Sequence, residues 1–392
     1  MNTTIEKETL VISLEDRIDT TNAPQIEAEI NEAISTNAGL TPAFDAKNLA
    51  YISSAGLRVL MKVCKTAGKK IAVRNVSSEV YDIFETTGFT TILDVQKKLR
   101  SLSIEGAELI GEGANGKVYR IGDDQILKVY RPNIPLDEVK AEREASKKAF
   151  LLGVPCAIAF DTVQCGEGYG NVFELIDADS LSGRIKKNPE LLPSYAERSA
   201  KLLKQIHSIE VPADTLQRAD TYLYKNIDSL VDVFTAEEIA KMRGAFDSLP
   251  QQSFFVHNDY HTKNIMESNG ELILIDLGDS GYGNPLIDLI HCEMIYNGLM
   301  KGKPDDEFNP YIGLTAGQMR EFWKIFLPTY LDTKDSAQID PLQKKLSLYG
   351  SVMHILTAIN HPRMPPEFRG KYIQKMREEI LPALVGENLC WE

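Results

Sequence analysis

The larger part of this chain is organised around one stretch, HNDYHTKNIMESNGELILIDLGD, which covers residues 257–279. Its Asn269-Gly270 pair is the preferred pair for a two-residue hairpin turn. Folding the chain at this turn predicts that Asn264 lies opposite Ile275, next to Asp276. An amide oxygen and a carboxylate would then meet at the open end of one hairpin. Both are hard oxygen ligands of the kind that Mg²⁺ binds beside nucleotide phosphates.

Asp259 precedes Asn264 by five residues and should project from the loop that leads into this hairpin. A carboxylate there is placed to accept or orient the proton of a substrate hydroxyl, as a catalytic base does. Neighbouring residues have simpler explanations, His257 as a structural loop residue and His261 as loop surface. Asp276 lies at the end of an apolar strand, and its alternative interpretation is a helix cap. Taken singly, these residues leave both interpretations open.

A glycine-rich segment, GEGANGKV, occupies residues 111–118. It leads into two β-type runs, at 118–121 and 126–130, which predict a hairpin rather than the strand, loop and helix of a dinucleotide-binding fold. Such hairpins cover nucleotide phosphates in kinases, because backbone without a Cβ approaches the oxygens closely. The candidate nucleotide contacts in this segment are Gly111, Gly113, Ala114, Asn115, Gly116 and Val118.

Lys128 lies inside the second strand of that hairpin, where a lysine is unfavourable unless its ammonium group reaches a partner. In a kinase the partner is phosphate, and a glutamate on the following helix holds the lysine in place. The next helical region supplies two candidates. We expect Glu144 to make this pair, with Glu142 as the alternative. A solvated, charged helix face is the non-functional interpretation of both.

Composition limits the classes of protein to which this chain can belong. Its 392 residues are enough for about two or three domains. The net charge of −13 argues against sequence-independent binding of nucleic acid. The five cysteines are scattered and predict neither a disulfide framework nor a zinc site. With no signal-peptide pattern and no apolar run long enough for a membrane span, the expectation is a cytoplasmic protein without a membrane partner.

Two patterned regions divide the chain. Residues 1–98 alternate strand-like and helix-like segments, which predict one small α/β domain with helices packed on a sheet. A polar stretch at 99–106 is the expected linker. Residues 107–176 have the pattern of antiparallel strands and turns, and residues 177–392 carry mostly helical stripes. The second part is therefore predicted to be α+β and two-lobed.

A serine pair, Ser53-Ser54, immediately precedes a helical stripe that begins at Leu57. Serine at that position is a common helix N-cap. A phosphoryl group would also be accommodated there, because it would meet free backbone N–H groups and the positive end of the helix dipole. Ser54 is therefore a candidate phosphoacceptor, and the residues alone leave the two interpretations open.

The run YISSAGLR at residues 51–58, within this order of strands and helices, resembles the signature of STAS domains, the anti-sigma factor antagonist family. The likeness covers residues 3–96. It implies a STAS fold that binds a partner protein or a nucleotide. In the phosphorylated members the modified serine occupies the position of Ser54, usually after an aspartate, where this sequence has Ser53.

Residues 105–392 resemble the aminoglycoside phosphotransferase and choline-kinase-like family of small-molecule kinases. The likeness rests on EREA at 142–145 leading to GVP at 153–155, on the loop 257–264, on IDLGDSG at 275–281 and on NPLIDL at 284–289. The resemblance implies a two-lobed, protein-kinase-like fold. The glycine-rich hairpin, the lysine, the glutamate and the Asp and Asn residues occur in the order that a kinase needs. Together they indicate a kinase far more specifically than any one of these features does alone.

The resemblance also assigns roles to residues. Asp259 would be the catalytic base, Asn264 and Asp276 the metal ligands, and Lys128 the group that holds the α- and β-phosphates. The segment that joins the lobes would contact adenine through backbone atoms of Glu174 and Ile176, and the family carries a structural aspartate at Asp288. The chain departs from the family at Asn258, where the family usually has glycine.

Together these features imply a phosphotransferase that uses ATP and Mg²⁺ and acts on a hydroxyl of a small molecule, such as an aminoglycoside, an amino alcohol or a sugar. The STAS domain would be regulatory or would bind a partner. An acidic stretch at 305–307 is the expected wall of the acceptor site. Two alternatives stay open: a regulatory protein kinase that acts on Ser54, and a non-catalytic module that binds nucleotide and partner proteins.

Overall fold

The computed structural model describes residues 1–113, 115–361 and 364–384. The chain divides into two compact units, Met1–Leu102 and Ser103–Glu392. The division lies inside the stretch 99–106 that the sequence suggests as a linker, and the finer limits at residues 98, 106 and 176 stay predictions.

The first unit is a five-stranded sheet with helices packed on it. The strands are adjacent in chain order, the first pair antiparallel and the others parallel. They are β1 (Thr3–Glu6), β2 (Thr9–Ile18), β3 (Thr41–Ile52), β4 (Ala72–Val76) and β5 (Asp94–Lys97). The helices are α1 (Ala23–Thr36), α2 (Ser54–Ala67) and α3 (Ser78–Thr86), followed by a 3-10 turn (Phe89–Thr91).

The core of this unit lies between the sheet and the helices. Apolar side chains that alternate along β2, Leu10, Ile12 and Leu14, are all buried, as their spacing predicts. Helix α2 packs unusually close to the sheet at Gly56, where a Cβ would lie 2.7 Å from the side chains of Ile18 and Ile52. The α/β fold predicted for this part of the chain is confirmed.

The second unit begins with a five-stranded antiparallel sheet whose order is β6-β7-β8-β10-β9. Its strands are β6 (Glu108–Glu112), β7 (Gly116–Arg120), β8 (Gln125–Tyr130), β9 (Ala159–Cys165) and β10 (Gly168–Glu174). Helix α4 (Leu136–Leu151) connects β8 to β9 and packs on β9 and β10. The runs at 118–121 and 126–130 form the predicted hairpin as β7 and β8, and β6 pairs with β7 on its other side, which confirms the prediction against a dinucleotide-binding fold.

The rest of the second unit is mainly helical. Its helices are α5 (Leu181–Lys187), α6 (Leu192–Ile206), α7 (Thr221–Asp228), α8 (Ala236–Asp247), α9 (Leu286–Glu293), α10 (Ala316–Leu331), α11 (Ser336–Asn360), α12 (Pro366–Lys375) and α13 (Leu381–Ala383). A 3-10 turn at Pro189–Leu191 and π-helical segments at Met294–Gly298 and Met376–Ile380 accompany them.

Three short strand pairs lie among these helices. They are β11 (Phe254–Val256) with β14 (Gly281–Gly283), β12 (Ile265–Ser268) with β13 (Glu271–Leu274), and β15 (Phe308–Asn309) with β16 (Leu314–Thr315). The antiparallel sheet and this helical part form the two lobes of a protein-kinase-like fold, as predicted. Within the described ranges, no helix combines the length and the apolar character needed to span a bilayer.

Candidate active site

The β12–β13 hairpin has the predicted register. Ser268 pairs with Glu271 across the Asn269-Gly270 turn, and both turn residues have positive φ, at 53° and 84°. Beyond β12 and β13 the pairing continues, because the N–H of Ile275 donates to the carbonyl oxygen of Asn264 at 3.0 Å. Asn264 therefore lies opposite Ile275, directly beside Asp276.

This hairpin is anchored to the strand-rich lobe by main-chain hydrogen bonds. Leu274 N–H donates to the carbonyl oxygen of Pro155 at 2.8 Å, and Ala157 N–H donates to that of Leu274 at 3.0 Å. The turn that follows α4 therefore fixes the hairpin, and with it Asp276, against the lobe that carries the glycine-rich strands.

Lys128 of β8 reaches the same place from the sheet. Its Nζ donates to Oε1 of Glu142 at 2.7 Å and to Oδ1 of Asp276 at 2.8 Å. Burial lowers the pKa of Lys128, but the charges of Asp276 and Glu142 outweigh that effect and raise the pKa above its ordinary value. Lys128 is therefore a cation held between two carboxylates, one on α4 and one after β13.

The expected pairing of Lys128 with Glu144 is wrong, and the alternative, Glu142, is the partner. In α4, Glu142 lies on the same face as Val139, Ser146 and Ala149, which are buried against the sheet. A residue two positions further points to the other side. Glu144 accordingly has a side chain 45% exposed, and it pairs with Arg143 at 2.9 Å.

Gly278 provides the room that Glu142 needs. A Cβ at Gly278 would lie 2.7 Å from Cγ of Glu142, so the carboxylate side chain packs against the backbone that follows Asp276. The close approach helps to explain why glycine stands two residues after Asp276 in this motif.

The glycine-rich loop is closed by backbone hydrogen bonds. The N–H of Gly113 donates to the carbonyl of Gly116 at 2.9 Å, and that of Arg131 donates to Asn115 at 2.9 Å. A Cβ at Gly116 would lie 2.1 Å from the carbonyl oxygen of Val129, whereas nothing lies within 4 Å of a Cβ at Gly113. Of the other predicted contacts, Gly111 and Val118 pair across the two strands, and Ala114 lies outside the described residues.

The predicted adenine contacts lie at the end of β10. Glu174 is the last residue of this strand, and its carboxylate accepts a hydrogen bond from Ile158 N–H at 3.1 Å. Its side chain is thereby held by the residue before β9, and its own N–H donates to the carbonyl oxygen of Ile158 at 2.9 Å. Ile176 follows two residues later, and its carbonyl accepts from Ala178 N–H at 2.8 Å.

Asp259 lies at the start of the loop before β12, and both of its carboxylate oxygens have partners. Oδ2 accepts from Nδ2 of Asn264 at 3.0 Å. Oδ1 accepts from the hydroxyl of Tyr311 at 3.2 Å, and Nε2 of His261 lies 3.4 Å from it. Tyr311 and His261 are not among the candidate site residues, and His261 is buried, which excludes the explanation of this residue as loop surface.

The surroundings keep Asp259 ionised. Burial raises the pKa of Asp259, but the hydrogen bond from His261 and the interactions with the imidazoles of His261, His257 and His291 lower it well below its usual range. A carboxylate with such a low pKa is a weak base, so its chief contribution is to orient a hydroxyl.

Asp288 supports this loop from beneath, as the resemblance implies. The fully buried carboxylate accepts from the N–H groups of His257 and Asn258 at 2.8 and 2.7 Å. Nε2 of His207 lies 2.9 Å away and must donate, because a carboxylate only accepts, and Nδ1 of the same ring lies 2.7 Å from the Tyr330 hydroxyl. The loop that carries Asp259 is thus tied to α6, α9 and α10.

Asn258 has a geometric reason to replace the family glycine. Its φ is 66°, in the left-handed region, which asparagine tolerates better than most residues. Its Nδ2 donates to the carbonyls of Ala219 and Asp279 at 3.0 and 2.9 Å. The substitution therefore joins the Asp259 loop to the segment after Asp276.

Carboxylates concentrate around this site. Loss of solvation within the site, and then the charges of Asp259, Asp276 and Glu142, raise the pKa of Asp279 to about 6, although the residue as a whole is exposed. The site therefore holds more negative than positive charge, which favours cations.

The donor set suits a magnesium ion that also contacts a nucleotide. With Nδ2 of Asn264 bonded to Asp259, its Oδ1 remains as an oxygen donor, and Asp276 keeps Oδ2 beside its contact with Lys128. Within the described ranges, no group of three or more His, Cys, Asp and Glu side chains could hold a metal alone. Magnesium beside a nucleotide needs only one or two protein ligands, because phosphates and water complete its shell.

The acidic stretch at 305–307 is partly neutralised. Asp305 pairs with Arg320, and Glu307 pairs with Lys303 at 2.7 Å. These ion pairs weaken the expectation that the stretch forms a negatively charged wall for the acceptor. Its nearest link to Asp259 is Tyr311, four residues further along the chain.

In the first unit, the two serines have different environments. Ser53 is the N-cap of α2, and its Oγ accepts from the N–H groups of Ala55 and Gly56 at 3.2 and 3.5 Å. Ser54 is the first residue of the helix and is exposed.

The fold and this arrangement of groups define a kinase-like phosphotransferase. The model of the phosphotransferase enzyme family matches residues 106–309, just over half of the chain, and the chain belongs to that family. It is accordingly a small-molecule phosphotransferase with a hydroxyl group as acceptor. Residues 1–102 match the STAS domain.

Solved structures with similar folds were found for both parts. An aminoglycoside phosphotransferase, APH(2'')-Ib with ADP bound, is 17% identical and covers 77% of this chain and 98% of its own, with a TM-score of 0.48. A choline/ethanolamine kinase family protein from Mesorhizobium loti is 15% identical over 72% and 88%, with a TM-score of 0.46. A Thermotoga maritima protein described as an anti-sigma factor antagonist is 13% identical over 24% and 85%, with a TM-score of 0.23. Among curated proteins, none matches the chain significantly.

Proposed function

We propose that this protein transfers the γ-phosphoryl group of ATP, with Mg²⁺, to a hydroxyl of a small molecule. The observation that carries the proposal is the position of Lys128, whose ammonium contacts both Glu142 on α4 and Asp276 after β13. Strand β8, helix α4 and the segment 259–276 are far apart in the sequence but form one site. This site combines a cation, Lys128, with a proposed metal ligand, Asp276, and a carboxylate that can orient a hydroxyl, Asp259.

The roles follow from the contacts. Lys128 and the loop around Gly113 and Gly116 hold the triphosphate, and Glu142 orients Lys128. Backbone atoms of Glu174 and Ile176 contact the adenine. These groups bind and position the nucleotide, and most of the rate enhancement in phosphoryl transfer comes from positioning and charge neutralisation.

Asn264 and Asp276 would hold the magnesium ion, which neutralises the phosphate charge when it is bound. Asp259 receives the acceptor hydroxyl on Oδ1. Its lowered pKa keeps it ionised at neutral pH, so it orients the hydroxyl by accepting its hydrogen bond. The proton passes to Asp259 only as the new oxygen–phosphorus bond forms, because bonding to phosphorus makes the acceptor oxygen strongly acidic. During this transfer, the hydrogen bond from Nδ2 of Asn264 to Oδ2 holds the Asp259 carboxylate in one orientation.

The acceptor class that the site favours is an aminated small molecule, such as an aminoglycoside, an amino alcohol or an amino sugar. Asp259 and Asp279 lie in one negatively charged region, and Asp279 interacts with the charges of both Asp259 and Asp276. An acceptor with a cationic amine beside its reacting hydroxyl would bind more tightly, because the negative charge attracts the amine.

A screen of ADP release tests the proposed function. The whole chain is incubated with Mg-ATP and panels of aminoglycosides, amino alcohols, sugars and nucleosides, with the acceptor-free rate as baseline. We expect stimulation by members of an aminated panel, and loss of that stimulation in Asp259→Asn and Asp276→Ala with the fold unchanged by circular dichroism. Unchanged turnover in both variants, or no stimulation by any panel, would contradict the proposal.

For the first unit we propose a regulatory role through binding of a protein partner, in the cytoplasm where ATP is available. The exposure of Ser54 at the start of α2 supports a second candidate function, in which the kinase unit phosphorylates this serine. Intact mass after incubation with Mg-ATP separates the two functions, because only the second adds a phosphate that Ser54→Ala removes.

A further inference from the structure

Oδ1 of Asp259 already has a hydroxyl partner in this structure. The Tyr311 hydroxyl donates to it at 3.2 Å. A base that orients or deprotonates an acceptor hydroxyl needs that hydroxyl within about 2.6–3.2 Å. The phenol oxygen of Tyr311 therefore lies where an acceptor oxygen has to lie.

The contacts of Oδ1 leave no free position on that oxygen for an acceptor, because a carboxylate oxygen accepts about two hydrogen bonds. Oδ2 faces Nδ2 of Asn264, a proposed metal ligand. The buried imidazole of His261 approaches Oδ1 from a second direction, at 3.4 Å. An incoming hydroxyl must therefore replace the only one of these partners that is not buried, which is Tyr311.

The backbone presents Tyr311 on a rigid tip. Between β15 and β16, Oδ1 of Asn309 accepts from the N–H groups of Tyr311 and Ile312 at 2.9 and 3.1 Å. Gly313 N–H donates to the Asn309 carbonyl at 2.7 Å, and Gly313 has a φ of 83°. Ile312 is fully buried, so it fixes the tip to the helical lobe.

The side chain of Tyr311 is held much less firmly than its backbone. The residue is 53% exposed. Its ring meets the His261 ring edge to face at 5.3 Å, and its hydroxyl contacts Asp259. A rotation about the side-chain bonds would break these two contacts without disturbing the tip.

We propose that Tyr311 occupies the acceptor position on Asp259 and that an acceptor must displace it before transfer. The proposal rests on the assignment of Asp259 as the acceptor-orienting carboxylate. In the absence of an acceptor, the phenol keeps water away from Oδ1 of Asp259, from which the carboxylate would orient it towards the nucleotide. Tyr311 thereby selects for acceptors that bind well enough to replace it and suppresses hydrolysis of ATP by water.

Removal of one atom tests this role. Tyr311→Phe keeps the ring and its contact with His261, and it leaves space for a water molecule next to Oδ1 of Asp259. We expect acceptor-free ADP release from Mg-ATP to rise about five- to tenfold, the effect of losing one hydrogen bond that competes with water. Affinity for a fluorescent ATP analogue should be unchanged, because the Tyr311 hydroxyl bonds to Asp259 and to none of the predicted nucleotide-binding residues that the structure describes.

The matched control is Tyr222→Phe, which removes the same atom from an exposed tyrosine of α7 whose hydroxyl makes no hydrogen bond to the described residues. A rise in Tyr311→Phe and none in the control supports the proposal, since loss of stability lowers turnover and does not raise it. An unchanged or lower rate with nucleotide binding intact overturns it. A phosphate on Tyr311 itself, detected by intact mass, also overturns it, because the hydroxyl would then be an acceptor.

The two proposals fail separately. If no acceptor in the screen is phosphorylated by the wild-type protein, the proposed acceptor class fails, while a rise in hydrolysis in Tyr311→Phe would stand. If acceptors are phosphorylated and the variant hydrolyses ATP no faster than wild type, only the role of Tyr311 fails.

Discussion

The ammonium nitrogen of Lys128 lies 2.7 Å from Oε1 of Glu142, across the boundary between strand β8 and helix α4. This contact fixes the helix to the proposed phosphate-binding side of the sheet, and it does so through a side chain that also reaches Asp276. The position of α4 and the position of the proposed metal ligand are therefore coupled through one cation.

Replacing Glu142 with glutamine should weaken nucleotide binding. The variant keeps the shape of the side chain but loses the charge that holds Lys128, and a hydrogen bond between charged groups contributes about 1.5–3 kcal/mol. We expect kcat/KM for Mg-ATP to fall about 10- to 100-fold. Glu144→Gln is the matched control, because the Glu144 carboxylate pairs with Arg143 and not with Lys128, and it should stay within twofold of wild type. Equal effects of the two substitutions would refute the assignment.

Gly116 and Gly113 should respond differently to alanine. A Cβ at Gly116 meets the carbonyl oxygen of Val129 at 2.1 Å, so Gly116→Ala must displace the β7–β8 pairing. We expect a loss of about 1–3 kcal/mol in the free energy of unfolding and a higher KM for Mg-ATP. Gly113→Ala has open space, so its stability should stay within about 0.5 kcal/mol of wild type. A raised KM in this second variant, measured by steady-state kinetics, would indicate close approach of phosphate to the loop.

The sequence predicts the local features of the site well. The β12–β13 register follows from Asn269-Gly270 because a two-residue turn fixes which residues face each other. The choice between Glu142 and Glu144 depends on how α4 is rotated against the sheet. That rotation is decided by burial of Val139 and Ala149, which a charged EREA motif does not reveal.

Contacts between segments that are distant in the sequence are harder to predict from it. Tyr311 and Asp259 are 52 residues apart, and their contact depends on the short β15–β16 pair, whose two-residue strands leave no periodic pattern. Strand β1 was not predicted because all of its residues are exposed, so apolar alternation does not mark it. The sequence does contain one local signal for the Tyr311 tip: Asn309-Pro310 followed by Gly313 is typical of a tight loop.

Asp288 should contribute stability that depends on pH. Burial raises the pKa of Asp288, but the hydrogen bond and charge of His207 and the interactions with His257 lower it on balance below its ordinary value of 3.8. A carboxyl whose pKa is lowered in the folded state stabilises the protein at every pH above its ordinary pKa. This stabilisation is lost as the pH falls through the folded-state pKa.

Asp288→Asn should therefore cost about 3 kcal/mol in the free energy of unfolding at pH 7, because it breaks a buried, charged network. The difference from wild type should shrink as the pH falls below about 4, because the unfolded state then binds a proton at Asp288 that the folded state does not. It should vanish once the pH is below the lowered folded pKa. Urea titrations at several pH values measure both quantities. Asp332→Asn, at an exposed ion pair with Lys204, is the control, and it should change the stability by less than about 1 kcal/mol. A pH-independent loss at Asp288 would contradict the assignment.

Asn258 should tolerate glycine better than alanine. Both substitutions remove the hydrogen bonds from Nδ2 to Ala219 and Asp279, but only alanine also carries a steric cost at a φ of 66°. That cost is about 1–2 kcal/mol, so the alanine variant should be less stable than the glycine variant by this amount. Thermal denaturation compares the two variants directly. Equal stabilities would show that the side-chain bonds, and not the backbone conformation, select asparagine here.

Ser53 and Ser54 should separate the structural role of the serine pair from a phosphorylated one. Ser53→Ala removes the N-cap of α2, which accepts from Ala55 and Gly56, and should lower the free energy of unfolding of the first unit by about 1 kcal/mol. Ser54→Ala changes an exposed side chain and should be neutral within about 0.5 kcal/mol. If the kinase unit acts on the STAS domain, incubation with Mg-ATP adds one phosphate to the wild type and to Ser53→Ala but none to Ser54→Ala. A phosphate that persists in Ser54→Ala would place the modification elsewhere, and no phosphate in any variant would leave the small molecule as the acceptor.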